Sequence, residues 1–544
     1  MFDWKNFEIH KNILSHVGPD LYQERWGQHH IDLRPRDLIR WTLLCKDDLG
    51  YLTLVDIAAV DRRNMPIRWN CNFEIVYVLF NMGTHQRINL HVHLNEGETI
   101  PSIVHHYSHA GWMEREQAEL LGLNFDVKTP KLILSHAEKT IPLRKDAVLG
   151  KWSPYLPQEL PKLRVNPNKS EAPYPEESWQ WKTLGILSPE TMGNFEWQLC
   201  FDPEHVVAAR TTIGFHHRGL EKLMEGRHWL HVMQLADLFH AGSAPTYSTT
   251  WAKTLEEMLR LKLPERAQAI RIVLLELARI VEHLTVMHEM TVSIKKDESR
   301  LFLNGREKVF ELFEKYCGHR QGFGVVRLGG VREDLPHGWV AEYQSIATLL
   351  QKSLRVTHNS LLGQHNFRSH LDSAGVNAQT VLQWGVGGPA MRASGLNFDL
   401  RKSQPFYFYQ DIDFDVPVGI HGTSYDRYLI RYEEIHQSLR IVTQVLDNLP
   451  LGEVVNTNAQ DIDALQTYFK DLHGSWHYSS LEAPNGETGF LLLCDGDATP
   501  YRLKIKSPSF TLTQALPEFV RGLRSDQLQV AIASLGIRKT ELDR

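Results

Sequence analysis

Cysteine is scarce and scattered in this 544-residue sequence, and its placement argues against a metal site built from thiolates. The five cysteines are Cys45, Cys71, Cys200, Cys317 and Cys494, and no two of them form a Cys-x-x-Cys pair. A thiolate site would have to be assembled from distant residues. We interpret these cysteines as reduced thiols in a reducing compartment.

The sequence also lacks a long apolar run and an excess of basic charge. No stretch approaches the roughly 18 apolar residues needed to span a bilayer, and the N-terminal MFDWKNFEIHKN has no signal-peptide pattern. A net charge of −6 argues against a broad nucleic-acid surface. We therefore expect a cytoplasmic protein without a nucleic-acid partner, one that can still dock on a membrane complex through other proteins.

The length is too great for one hydrophobic core, and the patterns divide the chain into three parts. Residues 1–150 read as a small α/β domain, in which FEIVYVLFNMG and QRINLHVHL predict two strands and GWMEREQAELLGL predicts a helix that ends at Gly122. The alternation in QRINLHVHL is typical of a half-buried strand. Six prolines between residues 152 and 175 predict an extended linker over 151–178.

Residues 179–544 begin with strands, continue as a helical bundle to about residue 450, and return to strands in TGFLLLCDG and PYRLKIKSPSF. We expect LEKLMEGRHWLHVMQLADLFH to form one helix. The longest helix is predicted in ERAQAIRIVLLELARIVEHLTVMHEMTVSI. The fold class of the whole chain is α+β.

Ionisable side chains fall on one face of that longest predicted helix. Glu276, Arg279 and His283 are spaced by three and four residues and are flanked by apolar side chains. They form either a solvated stripe or a buried row that could carry protons, because burial can move pKa values toward neutrality. His217 and Arg218, at the start of an earlier helix, extend this proposed proton-coupling row.

Ordered motifs along nearly the whole chain resemble one family. AGWMEREQAELLGLNFD and PLRKD resemble the smaller hydrophilic connecting subunit of respiratory complex I. TIGFHHRGLEKL, LELARIVEHL, VRLGGVREDLP, RASGLNFDLR and EAPNGETGFLLLCDG resemble its larger partner, which is homologous to the large subunit of [NiFe] hydrogenases, including the formate hydrogenlyase type. The resemblance implies a hydrogenase-like helical bundle with flanking strands, fused to the smaller subunit. It also suggests that the charged stretches AGWMEREQAE and PLRKD dock neighbouring subunits, with salt-bridged surface helices as the alternative.

The resemblance breaks where hydrogenases hold nickel and iron. Their two Cys-x-x-Cys pairs would fall at Ala241 and Ser243, and at Arg538 and Glu541. None of these side chains supplies the soft thiolate that such a centre needs. We therefore predict no nickel–iron centre and no metal ligands in this chain.

The positions that would bind a quinone in the family are also altered. By resemblance, two histidines of a strand loop become Ser188 and Met192, and a tyrosine becomes Ala241. Met and Ala cannot donate a hydrogen bond to a quinone carbonyl. The neighbouring His240 is the candidate substitute.

Three functions remain open on the sequence. The first is a peripheral-arm subunit of a complex I-like oxidoreductase, which couples electron transfer from an iron-sulfur neighbour to quinone reduction and ion translocation. The second is a non-catalytic coupling subunit of a hydrogenase-related complex, and the third, which the missing thiols argue against, is a true hydrogenase. The expected partners are an iron-sulfur small subunit, other peripheral-arm subunits and antiporter-like membrane subunits. The chain has no dinucleotide fingerprint, so any NADH site would lie on another subunit.

Overall fold

The computed structural model describes residues 21–65, 68–127, 130–134, 140–147, 179–460 and 469–544. The predicted linker 151–178 lies outside these described residues. Among them, no helix combines the length and the apolar character that crossing a membrane requires.

The N-terminal part is built on a five-stranded sheet with the strand order β1-β2-β5-β4-β3. Strands β2 and β5 are parallel, and the other neighbours are antiparallel. A left-handed Gly122 ends the second helix, as the sequence predicts. The elements are β1 Tyr22–Arg25, β2 Gln28–Leu33, α1 Leu38–Leu43, β3 Thr53–Asp61, β4 Phe73–Asn81, β5 Gln86–Leu94, β6 Thr99–Ile100, α2 Ala110–Leu121 and β7 Asn124–Phe125.

Both faces of this sheet are covered, so the expectation of a half-buried β5 is wrong. The polar side chains Asn89, His91 and His93 are only 1%, 5% and 3% exposed. They tolerate burial because they are hydrogen-bonded: His91 Nδ1 lies 2.7 Å from Glu74, and His93 Nε2 lies 2.7 Å from Asp32. A second sheet from the C-terminal part packs over the face that would otherwise meet water.

The middle of the chain begins with a three-stranded antiparallel sheet and continues as helices. The long helix α6 packs between its neighbours α7 and α13, and the prediction of the longest helix is confirmed, with its end at Thr291 rather than residue 294. The elements are β8 Gln180–Leu184, β9 Glu196–Asp202, β10 His205–Thr212, α3 Leu220–Glu225, α4 Trp229–Ala236, α5 Ala244–Met258, α6 Glu265–Thr291, α7 Lys296–Cys317, β11 Val326–Arg327, β12 Gly330–Val331, α8 Trp339–Leu362, α9 His365–Leu371, α10 Ala378–Gln383, α11 Gly388–Ala393, α12 Leu400–Ser403 and α13 Ser424–Asp447.

The segment predicted as one helix after residue 219 is two helices, α3 and α4. Gly226 follows the last residue of α3, and His228 is extended, with φ −55° and ψ 141°. The His228 side chain then accepts a hydrogen bond from the backbone N–H of Leu230 at 3.3 Å and caps α4. Gly226 and the capping side chain of His228 therefore separate two helices, although the apolar pattern in the sequence is continuous.

The C-terminal part adds a second antiparallel sheet and a group of short helices. The two strands predicted near the C-terminus are confirmed as the antiparallel pair β14 and β15, and an additional strand, β13, pairs with β14. Apolar residues from Phe510 to Leu542 share one hydrophobic core with the N-terminal sheet. The elements are β13 Ser475–Ala483, β14 Gly486–Cys494, β15 Arg502–Lys506, α14 Pro508–Gln514, α15 Leu516–Val520, α16 Leu528–Leu535 and α17 Lys539–Leu542.

The charged stretch near residue 114 is internal, so the expectation that it forms a docking surface is wrong, whereas PLRKD is partly exposed, with the side chain of Asp146 66% exposed. Glu114, Glu116 and Glu119 are 4%, 2% and 9% exposed. Glu116 lies 2.6 Å from Lys504, and Lys145 lies 3.1 Å from Glu225. These charges are buried because α2 lies between the N-terminal sheet and the C-terminal segment. The alternative of a salt-bridged surface helix fails for the same reason.

The buried Lys504 gives a first test. Lys504→Met leaves Glu116 without its closest cation, and we expect it to lower the free energy of unfolding by about 3–5 kcal/mol, as measured by urea denaturation. The matched control is Lys315→Met, which removes an exposed partner of Glu342 and should cost less than about 1 kcal/mol. Equal losses in the two variants would contradict the internal role of this ion pair.

Candidate functional site

The row predicted on the longest helix is buried inside the bundle. Glu276, Arg279 and His283 lie on α6 and are 0%, 2% and 0% exposed. Their side chains meet residues from α13, from the segment around α12 and from β13. The alternative of a solvated stripe is therefore wrong.

Glu276 is held by a complete set of donors. Arg401 Nη1 lies 3.1 Å from both carboxylate oxygens, while the hydroxyls of Tyr409 and Ser438 each donate at 2.6 Å. Burial alone would raise the pKa of Glu276, but Arg401 and Arg279 outweigh it and hold that pKa below its ordinary value. Glu276 is thus an ionised carboxylate in the protein interior.

The contacts continue from Glu276 to His283 through residues that the sequence interpretation did not single out. Arg401 pairs with Asp399 at 2.7 Å. Arg392 lies 3.6 Å from Asp399, 2.8 Å from Glu434 and 2.9 Å from Glu482, and Glu434 lies 2.7 Å from His283. We call this set the central network; its members are Glu276, Arg279, His283, Arg392, Asp399, Arg401, Glu434 and Glu482.

Two members of the central network have pKa values displaced toward their neutral forms. Burial lowers the pKa of His283 to about 4 despite the adjacent Glu434. The ring therefore donates through Nε2 to Glu434 and accepts at Nδ1 from Arg431, 3.0 Å away. Burial, reinforced by the nearby Asp399, raises the pKa of Glu482. Glu482 is thus the carboxylate of this network best suited to take up a proton.

His217 and Arg218 lie apart from the central network. Arg218 is exposed, and its Nη2 contacts the carbonyl of Leu238 at 3.5 Å. His217 is half-buried in the loop before α3, where Asp543 accepts hydrogen bonds from the backbone N–H groups of Gly214 and His216. The structure thus brings together three of the five residues proposed for the row.

The four positions that correspond to metal ligands carry ion pairs and small side chains. His240 lies between two carboxylates, with Nε2 at 3.0 Å from Glu282 and Nδ1 at 3.0 Å from Glu541. Arg538 lies 2.8 Å from Glu282 and 2.8 Å from Glu289. We call His240, Glu282, Arg538 and Glu541 the His240 cluster.

The electrostatics of the His240 cluster fix its protonation. Burial would lower the pKa of His240, but Glu282 and Glu541 outweigh that effect and raise it to about 9. His240 is therefore an imidazolium at neutral pH, and both ring N–H groups donate to carboxylates. It has no further donor to offer a quinone, which argues against its role as a substitute.

The side chains present do not fit a nickel–iron centre. Ala241 has no donor atom, and Ser243 Oγ contacts Thr246 Oγ1 at 2.6 Å. Arg538 is a cation, and Glu541 is already bound to His240. Within the described residues, no group of three or more His, Cys, Asp and Glu side chains is placed to hold a metal ion.

The loop that holds Ser188 and Met192 is a tight turn stabilised by hydrogen bonds to its backbone carbonyls. Ser188 precedes a short 3-10 turn, Met192 is left-handed with φ 53°, and Thr191 Oγ1 donates to backbone carbonyls of the same loop. His216 Nε2 lies 2.9 Å from the carbonyl of Gly193. The Met192 side chain packs against the apolar cores. A histidine therefore does approach this loop, although it comes from a different segment than the resemblance suggests.

Comparison with known proteins assigns both parts of the chain. Residues 31–152 match the family described as respiratory-chain NADH dehydrogenase, 30 kDa subunit, and residues 299–544 match the 49 kDa subunit. Proteins named as the C/D subunit of NADH-quinone oxidoreductase are similar over nearly the full length: 32% identity to that of Bdellovibrio bacteriovorus, with 95% of each chain covered, and 30% to that of Aeromonas hydrophila, with 100% and 97% covered.

The two matches, in this order on one polypeptide, define a fused pair of respiratory-chain dehydrogenase subunits. With 32% identity over 95% of its length, the chain belongs to the family of NADH-quinone oxidoreductase C/D subunits.

The raised pKa of His240 predicts a loss of stability at alkaline pH. The folded pKa of about 9 lies above the unfolded value of about 6.5. The contribution, about 3 kcal/mol, is therefore fully present below pH 6.5 and is lost as pH rises through 9. His240→Gln should flatten this decline in urea-unfolding free energies measured from pH 6 to 9.5. The exposed His319→Gln is the control, and an unchanged slope in the His240 variant would contradict the assignment.

Proposed function

We propose that this chain is a hydrophilic peripheral-arm subunit of a complex I-like membrane oxidoreductase, and that it couples electron transfer from an iron-sulfur neighbour to quinone reduction and ion translocation. The proposed coupling role rests on one observation, the buried ion pairs of the central network. The full-length similarity to proteins named as the C/D subunit of NADH-quinone oxidoreductase supports the oxidoreductase. The bundle that holds the network is of the hydrogenase large-subunit type in this proposal.

The other components of this proposal lie on partner chains. The iron-sulfur cluster belongs to a small partner subunit, and any NADH site belongs to another peripheral-arm subunit. Antiporter-like membrane subunits move the ion, and this chain lies peripherally on the cytoplasmic face of the membrane. The chain alone holds no cofactor.

A change of charge can pass through the central network because several of its side chains contact more than one partner. Arg392 contacts Asp399, Glu434 and Glu482 together. A proton taken up by Glu482 would weaken one of these contacts and leave Arg392 more strongly bound to the other two. Because Glu434 also holds His283 and Asp399 also holds Arg401, a charge change at Glu482 reaches Glu276 through direct contacts.

A second function is favoured by the chemistry of the altered positions. Met192 and Ala241 offer no hydrogen-bond donor, and both ring nitrogens of His240 bind carboxylates. These observations support a non-catalytic coupling subunit of a hydrogenase-related complex as the alternative. In that case the ion-pair network is retained while the acceptor binds elsewhere.

The coupling role is tested at Glu276. Glu276→Gln removes the charge that faces Arg401, and we expect ion translocation by the reconstituted complex to fall about 10-fold while the yield of assembled complex changes less than twofold. The control is Glu265→Gln, an exposed carboxylate at the start of the same helix. Unchanged pumping in the Glu276 variant would count against the network as the coupling element.

Tyr409→Phe keeps the test decisive if the Glu276 variant assembles poorly. It removes only the hydroxyl that donates to Glu276 at 2.6 Å and preserves the ring. We expect a smaller loss of translocation, about two- to fivefold, without loss of assembly. Normal translocation in an assembled Tyr409 variant contradicts the proposal.

Quinone binding is tested by titrating the purified complex with a quinone analogue. We expect saturable binding, and we expect Ala241→Tyr to tighten it about fivefold, because the exposed position 241 would regain a hydroxyl donor worth about 1 kcal/mol. Absence of binding in both forms would favour the coupling role without a quinone site.

A further inference from the structure

A cleft of about 690 Å³ lies away from both charge clusters, where the N-terminal sheet meets the rest of the chain. Five segments distant in sequence line it: the β1–β2 turn, the start of β5, the end of α5, residues 404–407 and strand β13. Its volume falls in the range of roughly 300–1,000 Å³ that is typical of small-molecule sites, and such sites favour junctions of this kind. Nothing in the proposed function uses this cleft.

The backbone around the cleft is held in costly conformations. Trp26, His85, Arg260 and Tyr407 line it with φ values of 50°, 60°, 51° and 52°. They make up half of the eight left-handed residues other than glycine in the described part of the chain. Side chains other than glycine rarely adopt this conformation, and such residues cluster at ligand sites.

One positive charge in the cleft is left over after pairing. Glu257 is matched by Lys253 at 2.6 Å, Glu256 by Arg271 at 2.7 Å, and Arg87 by Glu487 at 2.7 Å. Arg260 is exposed and has no side-chain partner among the described residues. An anionic group is therefore the natural partner of its guanidinium, which binds phosphate with two parallel hydrogen bonds.

A buried ring nitrogen in the cleft wall also lacks a partner. His477 is 3% exposed, and its Nε2 donates to Glu257 at 3.0 Å. The other ring nitrogen, Nδ1, has no hydrogen bond within the described residues. A polar group of a ligand would satisfy it.

Aromatic side chains supply flat surfaces beside these groups. The half-buried Trp26 packs against His477 with ring centroids 5.0 Å apart, and the half-buried Tyr407 contributes a second ring. Planar bases stack on such rings without strong sequence preference. We propose that this cleft binds a purine mononucleotide, with the base against the aromatic rings, a polar edge of the base at His477 Nδ1 and the phosphate at Arg260.

The test is calorimetric titration of the full chain, and of the assembled complex, with adenosine 5′-monophosphate, adenosine and ribose 5-phosphate. We expect one site per chain for the mononucleotide and at least 10-fold weaker binding of each fragment. Arg260→Gln should weaken the mononucleotide about 10-fold and reduce the salt dependence while leaving adenosine unchanged. Trp26→Ala should weaken both ligands that carry the base.

Arg300→Gln is the matched control, because Arg300 is an exposed arginine elsewhere on the surface, and it should bind like the unaltered chain. Circular dichroism of each variant establishes that it is folded. The proposal is overturned if the mononucleotide does not bind, or if it binds the Arg260 and Trp26 variants as tightly as the unaltered chain. Binding that disappears on assembly also overturns it, since the cleft would then hold a neighbouring protein of the complex.

Discussion

Desolvation of charge is the constraint on which this structure depends. The central network places four carboxylates and three arginines where almost no water reaches, and moving each ion out of water costs several kcal/mol. That cost is offset only when every charge keeps its partners. Because the partners come from α6, α11, α12, α13 and β13, satisfying the charges also fixes how these elements pack. The pairing of the buried charges therefore also determines the arrangement of these elements in the bundle.

The His240 cluster occupies the positions at which the resemblance to hydrogenases would place metal ligands. Where the resemblance would place thiolates, an imidazolium bridges two carboxylates and an arginine closes the group. Protein cations, the His240 imidazolium and the Arg538 guanidinium, balance the buried carboxylates at these positions. The cluster ties the last residues of the sequence to α6, much as a bridging metal would.

Contacts between buried charged side chains could be predicted from the sequence only where the interacting residues lie in one segment. Glu276, Arg279 and His283 could be placed together, since helical spacing and apolar neighbours are visible in one segment. Arg392, Asp399 and Arg401 lie in the quoted motif RASGLNFDLR, but nothing local shows that they meet Glu276. Glu482 lies on a strand that the pattern did not reveal, and the charges of α2 resembled a surface because the C-terminal segment that covers them is remote in sequence.

The covering of the N-terminal sheet by strands β13 and β14 has a consequence for biosynthesis. The first ninety or so residues complete their strands early, yet the apolar side chains of β3 and β4 meet Trp476 and Leu491 only when the distal part of the polypeptide has emerged. At the roughly 5–20 residues per second of ribosomal synthesis, that delay is on the order of a minute. During this interval the apolar face of β3 and β4 is uncovered in the nascent chain. This face would therefore be a binding site for chaperones that act at the ribosome.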